Sequence, residues 1–330
     1  NGVCGGTTAS CSGLLLWTCS YGPTYETPET TCDSLDNDCD GLVDEVYLDL
    51  GTICYDGLGV CQTSGTYVCN AAGDGTDCTA PPAGMPGDEE CNGLDDDCDG
   101  LVDERVVDDP MTVWRDGVDV DAIDTVTVDL GGATMEMMAY EASRPDATSV
   151  AGGALEHIAC SHPDVVPWVN VTWDEAQAAC CALNPSGTCP GMGGSGWRLC
   201  EATDWETACD GPVDVCTHSY ATMCTTSQRT TCNGAEYDCD LGTPGDQDCL
   251  FNTGSATFPM CYTDWGAAGS IYDLSGNVRE WTATSRGPDL FEVRGGSMNH
   301  IEPGRSCQWS FTIAQRTTAA PNTGFRCCLY

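Results

Sequence analysis

The chain has 330 residues and carries 51 Asp plus Glu against 11 Lys plus Arg, a formal net charge of −40. All eleven basic residues are Arg, and residues 1–104 contain no Arg, Lys or His. Nucleic acids and anionic membranes bind through cationic side chains, so both are excluded as partners; with no Lys, Schiff-base catalysis is excluded as well.

Cysteine is the next constraint. Its 26 copies, about 8% of the residues, reach the density of a disulfide scaffold. Disulfides persist outside the reducing cytosol, which predicts an extracellular or cell-surface (secreted) chain. Zinc would need paired ligands at short spacing, but there is no Cys-x-x-Cys and there are only four His. No apolar run approaches the ~20 residues of a membrane span, so no membrane insertion is expected. No signal peptide is visible, and Asn1 is expected to be the start of a processed or trimmed chain.

From the N-terminus, the first hundred residues read as an internal repeat. Cys4, Cys11 and Cys19 recur as Cys54, Cys61 and Cys69, 50 residues on. An acidic loop, Asp36 to Glu45, recurs 59 residues on as Asp95 to Glu104. The units are placed at 1–50 and 51–108, each a Cys-rich arm, a turn-rich spacer and an acidic loop. Gly, Pro, Thr and Ser dominate them, which predicts short strands and turns rather than helices. Units this small cannot bury a core alone, so disulfides and metal must substitute for it.

The loops carry the chemistry. Ca²⁺ takes 6–8 oxygens, and a loop supplies them from positions 1, 3, 5, 7 (a backbone carbonyl) and 9, with Gly at 6 for the turn. These positions hold Asp36, Asp38, Asp40, Leu42 and Asp44, with Gly41, in the first copy. In the second they hold Asp95, Asp97, Asp99, Leu101 and Asp103, with Gly100. Position 12, where an EF-hand needs a bidentate Glu, holds Tyr47 or Val106 instead; Glu45 and Glu104 are the replacement candidates. The spacing of Cys32 to Cys39, and of Cys91 to Cys98, predicts that each loop is clamped by its own disulfide.

Composition changes near Asp108-Asp109-Pro110, and a third region is placed at 109–330. A strand is predicted over Val126–Leu130 from its alternation. Two helices follow from capping boxes: Thr172-Trp173-Asp174-Glu175 ahead of Ala176–Leu183, and Thr203-Asp204-Trp205-Glu206 ahead of Thr207–Cys209. The rest reads as loop, giving an α+β domain large enough for one core. Eleven Cys fall in 1–104 and fifteen in 105–330. Both counts are odd, so either a bridge joins the two regions or each keeps an unpaired or intermolecular Cys.

Five segments of this region, in order, resemble the formylglycine-generating enzyme family of sulfatase-modifying factors. They are Asn170–Ala176, Trp197–Glu206, Ile271–Trp281, Arg294–Ser297 and Gly324–Arg326. The resemblance implies a loop-rich α+β fold related to C-type lectins. It also implies a calcium site made by the carbonyls of Ser275, Gly276 and Val278 with the carboxylate of Glu280. A second implied site uses Asn233 with Asp238, Asp240 or Asp246. The N-terminal units resemble the acidic Cys-Asp metal-binding repeats of bacterial surface proteins. The family's enzymes use copper and two cysteines, four residues apart, between the Gly-Gly-Ser and Gly-Phe-Arg segments. Here that interval holds only Cys307, so no catalytic residue is expected and Cys307 is the sole candidate. The iron-dependent relatives need three His together, and His157, His162, His218 and His300 are scattered.

The expected function is therefore a secreted or cell-surface structural or adhesive protein, stabilised by Ca²⁺ and disulfides. Its partners would be itself, in an extracellular fibre, or cell-surface components and glycans. The rivals are a copper-dependent oxidase acting on sulfatase cysteines and a calcium-dependent carbohydrate-binding module.

Overall fold

The computed structural model describes residues 3, 5, 7–12, 16–103, 123–190, 194–212, 230–237, 239, 249–310 and 312–330. Its residues form two compact units, 1–87 with 95–100 and 88–94 with 101–330. The expected boundary near 108–109 lies outside the described residues, as do Glu104, Val106, His218, Asp238, Asp240 and Asp246.

The first unit contains strands and turns, as its composition predicts. Strands β1 (Thr8–Ser12) and β2 (Leu16–Ser20) form an antiparallel hairpin. Strands β3 (Ile53–Asp56), β4 (Thr63–Cys69) and β5 (Thr76–Cys78) form an antiparallel meander. Among its described residues the buried apolar side chains are all cysteines: Cys32, Cys54 and Cys61. Cys32 is bridged to Cys69, Cys54 to Cys78 and Cys61 to Cys98. These pairs overturn the expectation of self-clamped loops. Cys39 and Cys98 sit at positive φ, 69° and 63°. From that turn Cys98 reaches Cys61, outside the loop, while Cys32 is taken by β4.

The larger unit has two four-stranded sheets. Strand β6 (Thr125–Asp129) alternates buried Val126 and Val128 with outward residues and turns through Gly131-Gly132 into β7 (Thr134–Met138). Helix α1 (Trp173–Ala182), strand β8 (Trp197–Leu199) and helix α2 (Ala202–Asp210) follow. The short pair β9 (Tyr262–Asp264) and β10 (Ser270–Tyr272) precedes β11 (Arg279–Gly287) and β12 (Leu290–Arg294). Then come β13 (Ile313–Gln315), β14 (Thr323–Phe325) and β15 (Cys327–Leu329). One sheet runs β6-β7-β15-β8, so the C-terminal strand lies inside it; the other runs β13-β12-β11-β14. Strand β14 pairs parallel to β11, which puts Gly324 opposite Glu280 and Phe325 opposite Trp281. Trp168, Trp197, Trp205 and Trp281 are buried, so these tryptophans pack the core.

Both predicted helices exist, with different caps. At α1 the Thr172 side chain accepts from Glu175 N, and Glu175 Oε2 accepts from Thr172 N. At α2 the helix starts before the expected box, so Thr203 lies inside it and Glu201 is the cap residue. The first-turn amide of Ala202 is instead met by Thr284 Oγ1 at 2.9 Å, from β11. A tertiary acceptor thus replaces the local one.

Cysteine parity resolves as one of its two alternatives: Cys91 is bridged to Cys160, joining the N-terminal cysteines to the later region. Cys19, exposed, is the unbridged cysteine among the described residues. Cys180 and Cys327, and Cys200 and Cys328, tie α1 and the end of β8 to β15. Replacing Thr172 by Ala removes the α1 cap and is expected to cost about 1 kcal/mol, read as a lowered denaturation midpoint.

Candidate cation sites and the family core

The two acidic loops share a backbone signature. Positions 4, 6 and 9 all have positive φ: Cys39, Gly41 and Asp44 at 69°, 98° and 53°, and Cys98, Gly100 and Asp103 at 63°, 95° and 55°. At position 6 this conformation favours Gly. In each loop the carboxylate at position 3 accepts the amide at position 5, Asp40 N to Asp38 Oδ1 and Asp99 N to Asp97 Oδ1, both at 3.1 Å.

Position 9 has a duty that sequence spacing did not reveal. Asp44 is buried and its two oxygens accept the amides of Asp33 and Ser34, at 3.0 and 2.9 Å. Asp103 repeats this with Asn92 and Gly93, at 2.9 and 2.8 Å on Oδ1, while Oδ2 meets His157 Nε2 at 2.7 Å. Both carboxylates therefore hold the turn that enters the loop.

In the first loop Asp36, Asp38 and Asp40 come together, each offering an oxygen within 4.8 Å of the others. A second group, Glu29, Asp38 and Glu45, meets the same limit and shares Asp38. Leu42, the carbonyl position, is exposed at the rim, and its amide is held by Asp40 Oδ1 at 2.8 Å. Two carboxylates at such a separation repel by roughly 1 kcal/mol in water and on the order of 3 kcal/mol where water is largely excluded. No cationic side chain exists in residues 1–104 to offset this. Burial and the neighbouring Glu45 and Asp44 push the Glu29 carboxyl up to about 7, against one bond from Asn37 N. In the second loop Asp95 is buried, with Oδ2 accepting Gly100 N at 3.1 Å and Oδ1 without a partner; Leu101 is exposed.

In the larger unit, Ser275, Gly276 and Val278 form the turn ahead of β11. Gly276, at φ 89°, has no room for a side chain: a Cβ would lie 1.9 Å from the Asn233 carbonyl. That carbonyl accepts Asn277 N at 2.9 Å, and Asn233 Nδ2 donates to Asn277 Oδ1 at 2.9 Å, so Asn233 is part of the same turn. Glu280 is buried, with Oε1 on Arg326 Nε at 2.8 Å and Oε2 on Trp205 Nε1 at 2.7 Å. Buried Glu141 accepts Asn277 Nδ2 and Val278 N, and buried Asp273 accepts Gly254 N. Burial and Asp273 hold Glu141 well above the usual carboxylate range, while burial pushes Asp273 up to about 6.

Of these three buried carboxylates only Glu280 is bonded to Arg326, whose charge acts on Glu141 and Asp273 through space. For the cation that the resemblance implies at this turn, the buried and unpartnered Ser275 Oγ is an available oxygen. The carboxylate that the resemblance implies as its charged ligand is already held by Arg326. Cys307 does not fit copper: it is buried and bridged to Cys209, and a disulfide sulfur is neither thiolate ligand nor nucleophile.

Residues 126–329 match the FGE-sulfatase family, described as the sulfatase-modifying factor enzyme 1-like domain. The chain belongs to that family and has its loop-rich, C-type-lectin-like fold. Similar solved structures include Treponema denticola variable protein 1, at 15% identity and a TM-score of 0.40, covering 63% of this chain and 92% of that one. CarF is 18% identical at a TM-score of 0.39, covering 63% of this chain and 98% of its own. PvdO from Pseudomonas aeruginosa is 13% identical at 0.36, covering 62% and 90%. No curated protein matches.

Two measurements check these sites. A carboxyl with a raised folded pKa binds more protons folded than unfolded, so its stability contribution is full below about pH 4 and is lost as pH rises through its folded value. For Asp273 that window closes at about 6. In EDTA the melting temperature is expected to fall across it, and less steeply in Asp273→Asn; equal slopes would contradict the assignment. Non-reducing peptide mapping is expected to recover Cys209 and Cys307 as one linked pair, whereas a free Cys307 thiol would restore the copper reading.

Proposed function

We propose that this chain is a calcium-stabilised structural or adhesive protein of the cell exterior, in which the family domain serves as a scaffold rather than a copper oxidase. The observation that carries this reading is the first-repeat loop. There, carboxylate oxygens converge, those of Glu29, Asp36 and Glu45 including one buried and unpartnered oxygen each, with no basic side chain in the surrounding sequence, a donor set suited to a hard, oxygen-seeking cation. The cation neutralises the cluster and couples metal binding to folding.

Ten disulfides with both cysteines described support an oxidising compartment. No helix among the described residues is long and apolar enough to cross a membrane. The bridged state of Cys307 supports the non-enzymatic reading. Exposed Cys19 is the residue through which covalent association between chains would run.

A ligand that binds only the folded state at a hundred times its Kd adds about 2.7 kcal/mol per site. Calcium is therefore expected to raise the melting midpoint of the disulfide-intact chain at low salt, and EDTA to reverse the gain. A melting curve indifferent to both would overturn the proposal.

A further inference from the structure

We infer that the first repeat holds two divalent cations, bridged by the Asp38 carboxylate, and that Glu29, from outside the acidic loop, is a ligand of the second. The inference rests on the calcium reading above and deepens it. Ion one would lie among Asp36, Asp38 and Asp40, and ion two among Glu29, Asp38 and Glu45, the two groups that each converge within 4.8 Å.

Independent support comes from atoms that have nothing to bind. Glu29 is fully buried; its Oε1 accepts Asn37 N at 3.1 Å, and its Oε2 has no partner. Glu45 Oε2 and Asp36 Oδ1 are likewise buried without partners. Buried polar atoms are nearly always satisfied, so unpaired oxygens on acids that belong to converging groups mark a missing positive centre. Charge counting favours two ions over one. Glu29, Asp36, Asp38, Asp40 and Glu45 total five negative charges, so one divalent ion leaves three uncompensated and two leave one.

The chain around Glu29 is built to deliver it. Glu26 folds the preceding segment into a turn, its carboxylate accepting the amides of Thr30 and Thr31 at 2.6 and 2.9 Å and both threonine hydroxyls. Glu26 N donates to Asn37 O at 2.9 Å, fastening that turn to the loop. Tyr47, at the position where an EF-hand carries its bidentate Glu, donates its hydroxyl to Thr30 O. The residue that cannot be a carboxylate ligand thus fastens the segment that brings one in. Asp44, engaged with the amides of Asp33 and Ser34, leaves room for this substitution.

Native mass spectrometry of the whole disulfide-intact chain, titrated with Ca²⁺, tests the inference by counting ions. The wild type sets the count; Glu29→Gln and Glu45→Gln are each expected to bind one ion fewer, and Asp38→Asn two fewer. Intact mass with and without reduction verifies that each variant keeps the wild-type disulfide number, and Glu45→Gln serves if Glu29→Gln does not fold. A calcium-binding wild type whose glutamine variants keep the full count overturns the second ion alone. A wild type that binds no calcium overturns the parent reading as well.

Discussion

Negative charge held in the interior without a basic partner is the constraint on which the first unit depends. Four acids of its described residues, Glu29, Asp36, Asp44 and Asp95, are buried, and residues 1–104 contain no cationic side chain. Such groups can be satisfied by backbone amides, by protons or by metal ions. Asp44 takes the first route, with two amides. Glu29 and Asp36 each keep a bare oxygen. The larger unit meets the same problem with guanidinium groups: buried Arg326 serves Glu280, Arg294 serves Glu292 and Glu206, and Arg305 serves Glu236. One unit carries its counter-charges on its own side chains; the other has no basic side chain within residues 1–104.

That difference extends to the interior as a whole. The larger unit has apolar clusters that include Trp168, Trp205, Trp281, Leu199 and Phe325. In the first unit cystine and carboxylate occupy the inside, while Leu42, Val43, Val46 and Leu48 are exposed. Burial of apolar surface therefore contributes little there, and cross-links that restrict the unfolded chain take over. The two loops keep the same φ pattern although the cysteines that precede them are bridged to different places, Cys32 to Cys69 of β4 and Cys91 to Cys160, so the loop conformation is a local property of the acidic motif.

Much of this was legible in the sequence where a local rule operates alone. Gly41 and Gly100 mark positions that need positive φ, the Thr172–Glu175 box is complete within four residues, and alternation over Val126–Leu130 identifies β6. Local rules failed where a partner distant in sequence intervened. Thr284 satisfies the amide of Ala202 and moves the start of α2. Disulfide partners depend on which strands meet, so Cys32 pairs with Cys69 rather than with its neighbour Cys39. Glu29 lies outside the motif and carries no spacing signal; only the turn closed by Glu26 brings it inward. Glu141, Asp273 and Arg326 come from three separate stretches of chain, which Arg326 links by donating to Met138 O and Tyr272 O.

The bridge between Cys91 and Cys160 closes a ring of backbone around the passage from the acidic repeats to the family domain. A protease that severs any single peptide bond within that ring leaves both products on one covalent molecule. Reduction and cleavage must then coincide before the repeats can be shed. Such a ring makes the attachment of one part to the other outlast damage to the connecting chain.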